Sequence, residues 1–474
     1  MKILFVTGEA GPFLRTGGLG DVSQALPLAL NKEKQDVRVI MPLYSAIKDV
    51  YRQTMVFVGS KVVSLGWRQQ YAGVFACEYD GVKYYFIDNE YYFKRFGVYG
   101  HYDDGERFAF FSKAVLEVLP LIDFFPEIIH CNDWQTGLLP VYLDAYFRGD
   151  ERLANVRTVL TIHNIEFQGA MDKSCISDVF GIPASHYAMA EYANNANMLK
   201  AGIEGAHAVT TVSKTYAEEI LNPYYAYGLE DILKKRSYKI RGIVNGIDVD
   251  LYNPQKDVGL FAKFSAKTVS KKAVNKKGLQ EMVNLPVADK PLIGMVTRLT
   301  NQKGLDLVME VINDILNMDI QMVVLGTGDW KYETALSEVA KRYSNKLAVI
   351  INFSQDIASK IYGGSDMFLM PSKFEPCGLS QLIAMRYGSI PIVRETGGLK
   401  DTVPAFNPVD KTGRGFTFKT YNAYDMLDAI RRAVGTYYNK EEWDALVNNA
   451  MSGDYSWKTS AKEYIELYKE LLQA

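Results

Sequence analysis

At 474 residues the chain is too long for one compact core, so two large domains are expected. Its 48% hydrophobic and 23% charged content is ordinary for a globular protein, and a formal net charge of −2 argues against broad electrostatic binding to nucleic acid or an anionic membrane. The four cysteines (Cys77, Cys131, Cys175, Cys377) are scattered, without a disulfide framework or zinc spacing; the apolar run from Ile3 to Val6 is too short for a signal peptide, and no stretch approaches a membrane span, so a cytoplasmic location is expected.

In chain order, short β-rich apolar runs alternate with helical patterns, the signature of doubly wound α/β domains. Strands are expected at residues 3–7, 37–41, 128–130, 158–162 and 208–212 in the first half, and at 292–296, 321–325, 347–351, 367–370 and 390–393 in the second. Polar or glycine-bearing residues follow nearly every strand, and ligands of open α/β sheets bind beyond the carboxyl ends of the strands. Aromatics are abundant, with 31 Tyr and 23 Phe. Those clustered at residues 84–102 read either as a half-buried strand with a loop or as faces on which sugar rings stack. A turn at 242–250 (GIVNGIDVD) marks the domain boundary; its Asp248-Val-Asp250 has the form of a metal-binding pair, though the signal is weak. The Lys-rich segment 263–277 reads as a solvated helix face rather than a nucleic-acid site. The final segment, 461–472, places Ala461, Tyr464, Ile465, Tyr468, Leu471 and Leu472 on one helical stripe that must pack on something, with a return to the first domain in view.

The sequence Thr-Gly-Gly-Leu-x-Asp occurs twice, at Thr16–Asp21 and Thr396–Asp401, each time between a strand-like and a helix-like run. Paired glycines there leave backbone N–H groups bare at a helix start, where an anion such as phosphate is favoured; two ordinary strand-to-helix turns are the plainer alternative. Arg15 precedes the first copy and Glu395 the second, which points to half-sites with different jobs. Arg298 and Lys303 share a loop after a strand and are suited to neutralising a diphosphate, or are simply solvated cations. Glu375, stiffened by the following proline, can accept sugar hydroxyls or balance a developing cation, or merely precede a helix. His163, Asp133 and Trp134 lie at strand ends and can together hold a sugar; Cys377 has no nearby histidine and reads as packing. The five histidines show no metal-ligand spacing, so no metal site is expected.

Taken in order, Arg15-Thr-Gly-Gly-Leu-Gly-Asp-Val, Cys131-Asn-Asp-Trp, Thr161-Ile-His-Asn-Ile, Asn245-Gly-Ile-Asp, Arg298-Leu-Thr-Asn-Gln-Lys-Gly-Leu-Asp, Phe374-Glu-Pro-Cys-Gly-Leu, Thr396-Gly-Gly-Leu-Lys-Asp-Thr-Val and Asp454-Tyr-Ser-Trp make the chain resemble the bacterial glycogen synthases, the ADP-glucose-dependent family related to plant starch synthases, over nearly its whole length. The resemblance implies the GT-B fold: two Rossmann-like doubly wound domains with the active site in the cleft between them. The domains would be 1–241, on the acceptor side and joined by a C-terminal helix 455–474, and 246–454, on the nucleotide-sugar side. It implies retaining transfer of glucose from ADP-glucose to the non-reducing end of glycogen or another α-1,4-glucan, with no metal and no cofactor. Carried over by position, Arg298 and Lys303 would hold the diphosphate, and Gly378, Leu379 and Ser380 would grip phosphate and glucose. Glu375 would bind glucose hydroxyls. His163, near the anomeric carbon, would line the glucose site with Asp133 and Asn245. Phe353 would lie against adenine, and Gly18 and Asp21 would complete the N-terminal wall. Tyr102 and Trp134 are the candidates for acceptor contacts.

The family usually has Lys where this chain has Arg15, and often Tyr where it has Phe353. Charge survives the first change and stacking the second; altered donor affinity or turnover is the expected consequence of Arg15. Two alternatives stand beside the glucan-extending enzyme: a GT-B transferase with a sucrose-type, trehalose-type or lipid acceptor, and a non-catalytic glucan-binding relative. The complete motif set favours a glucan acceptor, and only Arg15 speaks for lost catalysis. Oligomeric state is not legible in the sequence.

Overall fold

Ten apolar runs become strands within a residue or two of the expected places, because buried β-branched stretches flanked by turns have no better way to pair their backbone groups. In the computed structural model, which describes residues 1–474, the chain forms two compact units, Met1–Asn245 with Trp457–Ala474, and Gly246–Ser456.

The strands of the first unit are β1 (Lys2–Val6), β2 (Asp36–Pro42), β3 (Val56–Leu65), β4 (Arg68–Tyr79), β5 (Val82–Asp88), β6 (Ile128–Asn132), β7 (Arg157–Ile162), β8 (Ala170–Asp172), β9 (Glu191–Tyr192), β10 (Asn195–Asn197), β11 (Ala208–Thr211) and β12 (Ile240–Gly242). Nine form one sheet in the order β12-β11-β7-β6-β1-β2-β5-β4-β3, and β8-β10-β9 form a small separate sheet. Pairing is parallel from β12 through β5 and antiparallel at β5–β4–β3. The β3–β4 hairpin is the part the sequence pattern hides: Val56, Phe57, Val58, Val62 and Tyr71 are exposed, so apolar residues do not mark a buried face there.

The second unit holds a wholly parallel six-stranded sheet, β15-β14-β13-β16-β17-β18, built from β13 (Leu292–Val296), β14 (Gln321–Leu325), β15 (Leu347–Ile350), β16 (Met367–Met370), β17 (Ile390–Arg394) and β18 (Phe416–Phe418). Its strands are almost entirely buried, as strands covered by helices on both faces must be.

The C-terminal helix Lys458–Gln473 belongs to the first unit and buries Ala461, Tyr464, Ile465, Leu467 and Tyr468. The Tyr468 hydroxyl lies 2.7 Å from Nδ1 of buried His130, whose Nε2 lies 2.6 Å from the Thr161 hydroxyl, so the helix is tied to β6 and β7 by polar contacts as well as packing. Burial takes His130 down to about 3, so the ring is neutral.

One local reading needs correction. The Lys-rich segment is not uniformly solvated. Lys272 and Lys276 are buried. The Lys272 ammonium donates to the carbonyls of Tyr362, Gly363 and Tyr387 at 2.7–3.1 Å, and Lys276 pairs with Asp366 at 2.7 Å. Interior carbonyls at the ends of helices need donors, and Lys272 supplies them, while Lys276 neutralises a shielded carboxylate. Asp248, in the boundary turn, accepts from the N–H groups of Asp250 and Leu251, an Asx turn.

Candidate active site

Every residue singled out after a strand lies beyond a carboxyl end: Arg15 to Asp21 after β1, Asp133 after β6, His163 after β7, Arg298 and Lys303 after β13, Phe353 after β15, Glu375 after β16 and Thr396 after β17. The two units each carry one group of them.

In the second unit, three loops are woven together. Lys303 Nζ lies 2.6 Å from Glu375 Oε2, which also accepts from the Ser372 hydroxyl at 2.9 Å. Glu375 is 6% exposed, so the pair is largely shielded from water. Gly304, next to Lys303, has φ +76°, and a Cβ there would lie 2.2 Å from the Pro371 carbonyl oxygen; glycine is what lets the Lys303 loop reach the Glu375 loop. Lys373 N–H donates to the Gln302 carbonyl at 2.8 Å, closing the same join. Arg298 is exposed, held only loosely to Gln302 at 3.3 Å, and therefore available to a ligand. Phe353 is 80% exposed at the end of β15.

Gly378 takes φ +74° just before the helix Ser380–Arg386, with Leu379 as its N-cap. Gln381 ties this turn down from below, its Nε2 donating to the carbonyls of Cys377 and Gly378 and to the Thr402 hydroxyl. The second glycine turn packs against the same backbone. The Gly398 N–H donates to the carbonyls of Glu375 and Pro376, at 3.1 and 3.2 Å. A Cβ on Gly397 would lie 1.9 Å from the Glu375 carbonyl oxygen, and one on Gly398 would lie 2.1 Å from that of Cys377.

In the first unit, the N–H of His163 donates to Asp133 Oδ1 at 2.7 Å, and the N–H of Asp133 donates to the Thr161 carbonyl at 2.9 Å. The Asn132 amide fixes the imidazole. Its Nδ2 donates to the Val6 carbonyl at 2.9 Å, so its Oδ1, 2.9 Å from His163 Nε2, must accept, and Nε2 carries the proton. Burial lowers His163 to about 3, leaving a neutral ring with Nδ1 as acceptor. Burial also lifts Asp133 to about 7, against the lowering effect of backbone donors at His163 and Asn164. Asp133 sits at φ +56°, ψ −174°, a sparsely populated conformation for a side-chain-bearing residue. Asn245 is buried, and its Oδ1 has no protein partner.

A cavity of about 680 Å³ opens in this unit, lined by Tyr102, Trp134, Phe167, Gln168, Tyr227 and the acids Asp103, Asp104, Glu106 and Glu166, among others. Tyr102 is 94% exposed and Trp134 almost wholly buried, its ring edge against Phe108. The rest of the 84–102 cluster divides: Tyr84, Tyr85, Phe86, Tyr92 and Phe93 are core, and Tyr91 and Phe96 are exposed.

The first glycine turn meets expectation only in part: the amides of Thr16, Gly17 and Gly20 donate to the carboxylate of Glu9, while those of Gly18 and Leu19, in the first turn of the helix, do not. Gly18 begins the helix Gly18–Lys32, and Arg15 pairs with Asp21 at 2.7 Å and with Gln24 at 2.9 Å. Glu9, Asn132, Ser372 and Gln381 are the residues that motif reading missed. Only Glu9 had a signal, as a lone acid between a buried strand and a glycine turn.

Comparison with known proteins places this architecture. A starch synthase catalytic domain model matches residues 2–235, and a glycosyl transferases group 1 model matches residues 279–450. The chain is 52% identical to a glycogen synthase of Clostridium acetobutylicum over 477 aligned residues, covering 100% of each, and 48% identical to one of Geobacillus stearothermophilus, covering 100% of this chain and 98% of that protein. Among solved structures it superposes on the catalytic domain of starch synthase IV from Arabidopsis thaliana, bound to ADP and acarbose, with a TM-score of 0.91 and 32% identity over 100% of this chain and 99% of that one. Sucrose-phosphate synthase from Thermosynechococcus elongatus, 16% identical with a TM-score of 0.62 over 99% of both chains, shares the fold. With its two α/β units and full-length identity to these enzymes, the chain is a GT-B glycosyltransferase of the glycogen and starch synthase family.

Proposed function

We propose that the protein extends an α-1,4-glucan such as glycogen by retaining transfer of glucose from ADP-glucose. The observation that carries this reading is the shielded Lys303–Glu375 pair beside exposed Arg298, all on loops beyond the carboxyl ends of β13 and β16. Transfer breaks the bond between the glucosyl anomeric carbon and the diphosphate. The acceptor hydroxyl forms the new bond, and its proton goes to the departing phosphate oxygen. Arg298 and Lys303 stabilise the charge that gathers on the diphosphate as it leaves. Glu375 plays two parts: it orients Lys303 and accepts from glucose hydroxyls. The turn Gly378, Leu379 and Ser380 offers backbone and hydroxyl donors to the donor sugar and phosphate, and Phe353 offers a ring face to adenine.

From the first unit, neutral His163, Asp133 and Asn245 line the glucose. A neutral imidazole leaves the positive charge of the developing oxocarbenium unopposed. Arg15, Gly18 and Asp21 wall the donor. Tyr102 and Trp134 contact the acceptor, with the acids of the cavity accepting from glucan hydroxyls; the mix of ring faces and carboxylates suits a sugar chain. No helix is long and apolar enough to cross a membrane.

Release of nucleoside diphosphate, measured from ADP-glucose and separately from UDP-glucose with and without glycogen, tests the reading. Glycogen-dependent release that is faster from ADP-glucose is expected. Release without glycogen contradicts the acceptor, and no release from either donor contradicts the enzyme.

A further inference from the structure

The first glycine turn contains an anion of its own. Glu9 follows β1 and is 1% exposed. Its Oε1 accepts from the N–H groups of Gly17 at 3.2 Å and Gly20 at 2.9 Å. Its Oε2 accepts from the N–H of Thr16 at 3.2 Å, from the Thr16 hydroxyl, and from the Tyr99 hydroxyl at 3.4 Å. Gly17 is the N-cap of the 15-residue helix Gly18–Lys32, and Gly20 lies in its first turn. A carboxylate so deeply placed is tolerated only when donors surround it, and the positive end of a helix favours it further. Glu9 thus takes three amides of a turn suited to an anion, and none from Gly18 or Leu19.

The loop that the carboxylate clamps is the one that carries Arg15. The Gly11 N–H donates to the Gly20 carbonyl at 2.9 Å, closing the loop at its base, and Glu9 holds the residues immediately after Arg15. A Cβ on Gly20 would meet the Arg15 backbone at 3.0 Å, so the loop is tightly folded. A phosphate reaching for those three amides would have to displace Glu9 and face its charge.

We propose that Glu9 is a built-in anion that occupies the amides of Thr16, Gly17 and Gly20 and so fixes the Arg15–Gly20 loop in the shape that turnover uses. Glu9 is thus a positioning residue, acting on substrate only through the loop. The inference rests on the glucan-extending activity proposed above.

The experiment compares wild type, Glu9→Gln and Glu9→Ala as full chains. It reads glycogen-dependent ADP release with and without sodium formate, together with thermal unfolding. In Glu9→Gln, which keeps the size of the side chain but loses the charge, kcat is expected to fall about 10²-fold in folded protein, with KM for glycogen unchanged. Glu9→Ala should fall as far and regain activity in formate, because a small carboxylate re-enters the cradle. Inorganic phosphate should then suppress that rescue at concentrations that leave wild type unaffected.

Wild-type turnover in both variants would overturn the proposal. So would a folded, slow Glu9→Ala that formate does not move beside a wild-type-like Glu9→Gln. If Glu9→Ala does not fold, the rate of Glu9→Gln decides alone. A wild type that releases no ADP in the presence of glycogen contradicts the proposed activity instead, and formate-dependent thermal stabilisation of Glu9→Ala then reads the cradle independently.

Discussion

The two Thr-Gly-Gly-Leu turns have nearly the same sequence and opposite surroundings. The first wraps around the Glu9 carboxylate, and a Cβ on Gly17 or Gly18 would meet nothing within 4 Å. The second is pressed against the backbone of residues 375–377, where its glycines are needed for close approach. One motif thus serves once as a cradle for a side chain and once as a spacer that lets two loops touch. The lesson is that glycines at a strand-to-helix turn specify a backbone path, and the surrounding residues decide what fills it.

If the chemistry is concentrated beside the second turn, substitutions there should cost the most. Lys303→Ala is expected to lower kcat about 10³-fold, the scale of losing a charge that stabilises a leaving group. It also strands Glu375 in a shielded site, and breaking such a pair costs about 3–5 kcal/mol. Glu375→Gln should lose activity with a smaller stability loss, because the amide oxygen can still accept from Lys303, whose ammonium is the more exposed partner of the pair. Steady-state kinetics and denaturant unfolding of both single variants and the double variant measure the coupling. Independent, additive effects would mean that the pair does not act as a unit.

A direct contrast of the turns uses one substitution at matched positions. Gly398→Ala puts a Cβ 2.1 Å from the Cys377 carbonyl oxygen, and Gly18→Ala puts one in open space. The first should lose about 1–3 kcal/mol of stability and most activity through displacement of the Glu375 loop. The second, at the first position of a helix, should stay within about 0.5 kcal/mol of wild type. Equal thermal unfolding temperatures for the two variants would mean that the two turns are packed alike.

How far the sequence foretold this depended on the kind of interaction. Buried parallel strands announce themselves, because both faces are apolar and turns bound them; β13 and β14 were legible to the residue. The β3–β4 hairpin was hidden by exposed apolar residues such as Val56 and Phe57. The charged and polar candidates were legible by type and by position after strands. Their partners were not: Ser372 below Glu375, or Asn132 fixing the tautomer of His163, depend on contacts that only folding creates. Glu9 was in plain view beside the first turn, but the sequence does not say which way a side chain points. Lys272 and Lys276 misled for the same reason, since a lysine inside a helix looks solvated until its partners are found, helix-end carbonyls for Lys272 and Asp366 for Lys276.

A third contrast lies in pH. Asp133, in the first unit, is lifted by burial from 3.8 to about 7. The folded chain therefore binds this proton more tightly than the unfolded chain, and folding stability falls as pH rises across that interval. Asp133→Asn does not titrate, so its unfolding free energy relative to wild type should move in the variant's favour between about pH 5 and about pH 8. A difference that stays constant with pH would mean that Asp133 ionises in the folded chain as it does in water.

The smallest effect is expected at Arg15. The guanidinium spans Asp21 and Gln24 with separate nitrogens, and a lysine ammonium in the same place satisfies one of them well. Both members of the Arg15–Asp21 pair are about a third exposed, so exchanging one cation for another there should leave stability unchanged. The amides of Thr16, Gly17 and Gly20 in the loop bond to Glu9 and not to Arg15. Arg15→Lys should therefore alter kcat or KM for ADP-glucose by only about three- to tenfold, through reach and flatness rather than loop shape. No change in either constant would show that this position does not tune turnover. A loss as deep as that of Glu9→Gln would show that the arginine, and not the carboxylate, holds the loop.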